Sequence, residues 1–259
     1  MKKIFIYKFL ISLFLIFFNA SFSFAENKFV SLSPNATEIF YELNAQNQLL
    51  AISTACTYPE ETKNKLKVGN TFFIDKEKIL KLKPNYIIAP DSTAPMLTEF
   101  NKLNIKPICY KYKTVNDIFS IILDMGKLTD KNQSAQKLVQ KLKNDIEKSK
   151  TKKPKDILYL VQVQPMITVG KESFITDVIK VSGQNSITKD FNSYYPTISE
   201  EFAIKSNPDV VVVSFYSDTQ LIKKFFPNAK IIFMSQEQND IINRPGPRIN
   251  KSIKFFADL

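Results

Sequence analysis

One segment of this chain occurs twice. Glu77-Lys-Ile-Leu-Lys-Leu-Lys-Pro84-Asn-Tyr-Ile-Ile88 is matched 124 residues later by Glu201-Phe-Ala-Ile-Lys-Ser-Asn-Pro208-Asp-Val-Val-Val212. Each copy is a Glu, a helix-compatible run, a Pro seven residues on, and then an apolar stretch. Proline stops a helix, so each copy reads as a helix end feeding a strand. A unit of this kind on each side of the midpoint predicts two equivalent α/β halves.

The rest of the pattern agrees. Phe29 to Leu32, Leu49 to Ile52, Tyr86 to Ala89, Ile105 to Tyr110, Ile157 to Val163 and Val210 to Val213 are short apolar runs separated by helix-length segments. That alternation indicates parallel sheets, whose strands are covered on both faces and therefore read as unbroken apolar runs. Between the halves lie two helices. Val115 to Leu128 begins at a Thr114/Asp117 capping-box spacing. Lys131 to Lys148 carries Ala135, Leu138, Val139, Leu142 and Ile146 on one stripe and charge elsewhere. The expected organisation is a first α/β lobe over 26–128, a long linking helix over 129–152 and a second α/β lobe over 153–259. Residues 1–25 read as a cleaved signal peptide: Lys2 and Lys3, an apolar run to Phe18, then Ser23-Phe24-Ala25 with small residues at the cleavage positions. The apolar run is shorter than the roughly 20 residues that a membrane span needs. This predicts a soluble, monomeric periplasmic protein.

Composition narrows the chemistry. The chain has no His, two Cys, five Gly and a net charge of +11. Without His, histidine catalysis and histidine metal sites are excluded, and neither cysteine has a base to activate it. There is no nucleophile elbow and no phosphate loop. We expect no enzyme, no cofactor and no protein-held metal. The lysines are scattered along polar faces, which argues against a nucleic-acid partner. Cys56 and Cys109 leave a disulfide open. The only arginines, Arg244 and Arg248, share one five-residue motif. Arg offers a planar fork of donors that Lys cannot copy, so these two either brace a turn or contact a ligand.

In open parallel sheets, ligands sit beyond the carboxyl ends of the strands. The segments expected there supply the candidate binding residues: Ser33, Pro34 and Asn35; Tyr58; Phe72 and Phe73; Ser92; Gln164; Tyr195; Tyr216; and Arg244. Their aromatic content suits a sizeable, partly apolar ligand.

The motifs Ser31-Leu-Ser-Pro-Asn-Ala-Thr-Glu38, Thr57-Tyr-Pro59, Val68-Gly69, Glu77 to Ile88, Gly170-Lys-Glu-Ser173 with Ser182-Gly-Gln-Asn185, and Arg244-Pro-Gly-Pro-Arg248 resemble the cobalamin and iron-chelate substrate-binding proteins of ABC importers. The similarity spans essentially the whole chain after the signal peptide and is strongest toward the cobalamin-binding members. It implies two Rossmann-like lobes joined by one backbone helix, a ligand cleft between them and little closure on binding. It further implies capture of a corrinoid and delivery to an inner-membrane permease dimer with its ATPase, docked through Glu77 and Glu201. As a bottom-up alternative, each Glu complements its own helix N-terminus. The chain departs from the cobalamin pattern in lacking Trp: Tyr195 stands where one is expected, Phe72 or Phe73 near another, and Ala55 replaces a pocket tyrosine. A ferric siderophore, haem or another metal chelate is the alternative ligand, and haem would need a Tyr axial ligand.

Overall fold

The repeat folds as two copies of one arrangement, each built around a central apolar strand. The computed structural model describes residues 26–70, 73–215 and 219–259. The proposed signal peptide lies outside them. Nine strands and ten α-helices are present among the described residues. The strands are β1 (Phe29–Ser31), β2 (Leu49–Ile52), β3 (Tyr86–Pro90), β4 (Lys106–Tyr110), β5 (Asp156–Gln162), β6 (Ile167–Thr168), β7 (Asn185–Ser186), β8 (Val210–Val213) and β9 (Lys230–Phe233). The helices are α1 (Pro34–Glu42), α2 (Lys76–Leu82), α3 (Ala94–Leu97), α4 (Val115–Leu128), α5 (Asn132–Ser149), α6 (Phe174–Val181), α7 (Glu200–Ser206), α8 (Thr219–Phe225), α9 (Gln236–Ile242) and α10 (Ile249–Ala257).

The first sheet has the order β2-β1-β3-β4 and is parallel throughout. In the second, β7, β5, β8 and β9 pair in parallel in the corresponding order, and β6 adds an antiparallel edge to β5. Thus β3 and β8, the strands that follow Pro84 and Pro208, hold equivalent interior places. Their preceding helices match as well. α2 is capped by Asp75 and α7 by Ser199, and each ends in a left-handed residue, Lys83 or Asn207.

Two apolar layers cover the outer faces of the sheets. One gathers Ile79, Ile87, Leu97 and Phe100; the other gathers Leu158, Leu160, Val211 and Phe226. The largest core belongs to both halves at once. It runs from Phe29, Phe40 and Ile52 through Ile118, Ile122, Leu142 and Ile146 to Tyr159, Val212, Ile253 and Phe256. α5 buries the stripe Ala135, Val139, Leu142 and Ile146 and packs against α4 and α10. α4 starts at Thr114 with the full capping box, Thr114 and Asp117 each bonding the other's backbone N–H. Across the same region Asp177 of α6 accepts the Val115 backbone N–H at 2.7 Å. The halves are therefore joined by packing and hydrogen bonding as well as by the chain itself.

Candidate functional site

Segments following β3 and β4 face segments of the second half across a cavity of about 530 Å3. The first half contributes Asp91, Ser92, Tyr110, Lys111 and Tyr112; the second contributes Ser173, Ile175, Tyr194, Tyr195 and Asn243. A second chamber of about 340 Å3 shares Ile175, Tyr195 and Asn243 and continues past Ser214, Phe215, Gln236, Asn239 and Arg244. Both open beyond the carboxyl ends of parallel strands, where α/β sheets place ligands. A neighbouring groove of about 460 Å3 is lined instead by Lys171, Lys180, Lys189, Glu172, Asp177 and Asp190 and offers no aromatic face.

Local structure sets the aromatic wall. Tyr194 and Tyr195 sit on a loop tied back to Gly170, whose N–H donates to the Tyr194 carbonyl at 3.0 Å. A Cβ at position 170 would lie inside contact distance of the Ser193 and Phe191 carbonyls, so only glycine permits this approach. Tyr195 is 57% exposed. On the opposite wall, the Tyr110 hydroxyl donates to Asp124 at 2.5 Å; burial and that carboxylate hold the phenol well above its ordinary pKa. The Tyr112 hydroxyl is buried with no hydrogen-bond partner. Burial raises its pKa, opposed by the side chains of Ser33 and Asn35 nearby.

Beneath the second chamber is an amide and hydroxyl network. Tyr159 donates to Asn243 at 3.4 Å, Asn243 donates to Asn239 at 3.2 Å, and Ser214 donates to Asn239 at 2.8 Å. Asn239 also donates to the Ser214 carbonyl. Burial pushes the Tyr159 phenol up to about 12, so it serves as a neutral donor. The charges that line the chambers are paired within the protein: Lys111 with Asp91 at 3.6 Å and Arg244 with Asp240 at 3.2 Å. What faces the space is aromatic and amide surface with balanced charge.

The two arginines differ. Arg244 lines the second chamber and reaches across to Thr57, donating from Nη1 at 3.1 Å. Arg248 is committed to the protein. Its Nε and Nη2 donate to the two oxygens of Glu38 at 2.8 and 2.6 Å, and its guanidinium lies 4.1 Å over the Tyr58 ring. Glu38 is buried on α1, and burial raises its pKa against the opposing pull of Arg248. A fork-to-fork pair of this kind is specific in geometry as well as strong.

Of the residues expected at the site, Ser92, Tyr195 and Arg244 line the chambers. Ser33 is buried, and its hydroxyl caps α1 by accepting the Ala36 N–H at 3.4 Å. Asn35 stands behind Tyr112, and Pro34 opens α1. Tyr58 sits under Arg248. Phe73 and Gln164 are exposed and line neither chamber. Phe72 and Tyr216 lie outside the described residues. Reading from the sequence did not pick out Tyr110, Lys111, Tyr112, Ser173, Ile175 and Asn243. Tyr110 ends β4 and Lys111 and Tyr112 follow it, so the rule applied to the other strands would have found them. Cys56 and Cys109 are free thiols, Cys56 accepting from the Thr37 hydroxyl at 3.1 Å.

Glu77 and Glu201 are exposed in the first turns of α2 and α7. Glu201 pairs with Lys205 at 2.6 Å.

Residues 29–237 match the family model described as periplasmic binding protein. The vitamin B12-binding protein of Vibrio vulnificus is 28% identical, over 89% of this chain and 90% of its own length. The uncharacterized ABC transporter substrate-binding lipoprotein YvrC of Bacillus subtilis is 26% identical, over 89% of this chain and 79% of its own. Among solved structures, a possible iron-binding (periplasmic solute-binding) protein from Staphylococcus epidermidis superposes with a TM-score of 0.79 at 25% identity, covering 90% of this chain and 98% of that one.

Proposed function

The chain belongs to the periplasmic binding protein family, as a substrate-binding protein of an ABC transporter of the B12, iron-chelate and haem group, and we propose that its ligand is a corrinoid held in the tyrosine-lined cavity. The family is one of solute-binding proteins, not enzymes.

The carrying observation is the lining. The first chamber lies within the roughly 300–1,000 Å3 typical of small-molecule sites. Tyr110, Tyr112, Tyr194 and Tyr195 offer apolar faces from both halves, while Asn239, Asn243 and Gln236 offer amide donors and acceptors. Lys111 and Arg244 already have carboxylate partners. Such a surface suits a large ligand of flat apolar face and amide rim better than one whose charge would need an unpaired cation. The relative that binds vitamin B12 supports the same reading. The second reading is a haem or ferric chelate, favoured by the exposed Tyr195 on the cavity wall, whose phenol is an oxygen ligand in a chain without His.

In this reading residues 1–25 direct export and are removed. The mature monomer works in the periplasm as two lobes about α5. It docks to the permease dimer through Glu77 on one lobe and Glu201 on the other. Isothermal titration with cyanocobalamin, cobinamide, haemin and a ferric trihydroxamate decides between ligands. Saturable binding of the corrinoids at micromolar concentration or below is expected. Silence with both corrinoids and binding of haemin would transfer the site to the second reading.

A further inference from the structure

The repeated helices share more than their glutamates. α2 and α7 bury the same position, Ile79 and Ala203, both fully covered. They also expose the same position, Leu80 at 38% and Ile204 at 60%. In each, the exposed aliphatic stands three residues after the Glu, which on a helix puts the two side chains side by side. A Lys follows one residue later in both, Lys81 and Lys205. The same Glu, aliphatic and Lys triplet is thus displayed by the same supersecondary unit in each half.

Single exposed aliphatics are ordinary on protein surfaces. Retention of one at the corresponding place of two otherwise different helices is not explained by either core, because the inward residues already differ in size. We propose that Leu80 and Ile204 are the apolar members of two like contact points. Each seats in an apolar recess beside a basic side chain on one of the two equivalent subunits of the importer's membrane dimer. This rests on the reading of Glu77 and Glu201 as docking residues.

One feature commits the surface to that occupant. A partner with one unique face would meet two unlike surfaces. Two like triplets, one per half, fit a partner whose own surface occurs twice about a two-fold axis. The division of labour follows from the chemistry. The exposed carboxylates steer approach and set orientation, whereas burying the aliphatic side chains slows departure.

The test measures binding of the purified protein to the permease–ATPase complex in lipid nanodiscs. Leu80→Ser and Ile204→Ser each lower docking affinity about tenfold, and together about a hundredfold, chiefly through faster dissociation. Both positions are exposed, so the melting temperature stays at the parent value. Leu80→Ile with Ile204→Leu retains docking. If the double Ser variant docks as the parent does while Glu77→Ala with Glu201→Ala weakens docking, the inference falls and the reading of the carboxylates stands. If neither pair weakens docking, the reading of the carboxylates fails and takes the inference with it. If sedimentation shows a dimer of the free protein that the Ser pair dissolves, the surface serves a second copy of this chain and the inference is overturned.

Discussion

The seam between the halves is closed in one place and open in another, with chemically similar residues in both. At the closed place Glu38, Arg248 and Tyr58 meet: a carboxylate, a guanidinium and a phenol ring, the ion pair nearly out of water. At the open place Asp240, Arg244 and Tyr195 hold the same three group types around the second chamber. The closed set is bidentate and stacked, with both Glu38 oxygens taken by Arg248. In the open set Arg244 bonds Asp240 and Thr57 singly, and Tyr195 presents its ring to the cavity. The contrast teaches that these groups are free to meet a ligand only where the protein has left their faces unused.

The sharpest way to break the comparison is at the closed place. Glu38→Ala strands a buried guanidinium, and breaking a buried pair costs about 3–5 kcal/mol. Urea denaturation should record that loss. Glu38→Met with Arg248→Met removes both charges and should recover most of it; equal loss in single and double variants would mean the pair is not the source. At the open place the effect moves from stability to affinity. Tyr195→Ala should leave the denaturation midpoint unchanged and weaken corrinoid binding about tenfold in titration calorimetry, the scale of one aromatic contact at roughly 1–1.5 kcal/mol. The smallest effect is expected at Tyr112→Phe. Removing a hydroxyl that has no partner should leave stability the same or higher by about 1 kcal/mol. A drop in ligand affinity in the same variant would show that the ligand, not the protein, is its partner.

Much of the architecture was legible in the sequence because it rests on local signals. The Thr114 and Asp117 spacing placed the start of α4, the prolines placed the ends of α2 and α7, and the apolar runs placed the central strands. β6, β7 and β9 escaped notice, the first two because two residues carry no periodicity and β9 because its apolar run is only Ile231 to Phe233. The site was less legible. The Glu38–Arg248 pair joins residues 210 positions apart, and nothing in either neighbourhood marks the other. Ser33 had the composition of a binding loop, but its hydroxyl is taken by the α1 backbone. Tyr110 and Tyr112 read as a strand end and a polar exit, although the register that pairs Ala89 with Cys109 and Pro90 with Tyr110 brings them to the rim beside Ser92.

The core common to both sheets has a consequence for unloading. Bending the halves apart would wet apolar surface that each now hides in the other, at roughly 25 cal/mol for every Å2 exposed. A molecule built this way gains little by gaping on its own, and its cargo leaves slowly unless something supplies work. On the docking proposed above, the lever for that work is a grip on both halves at once, through α2 and α7.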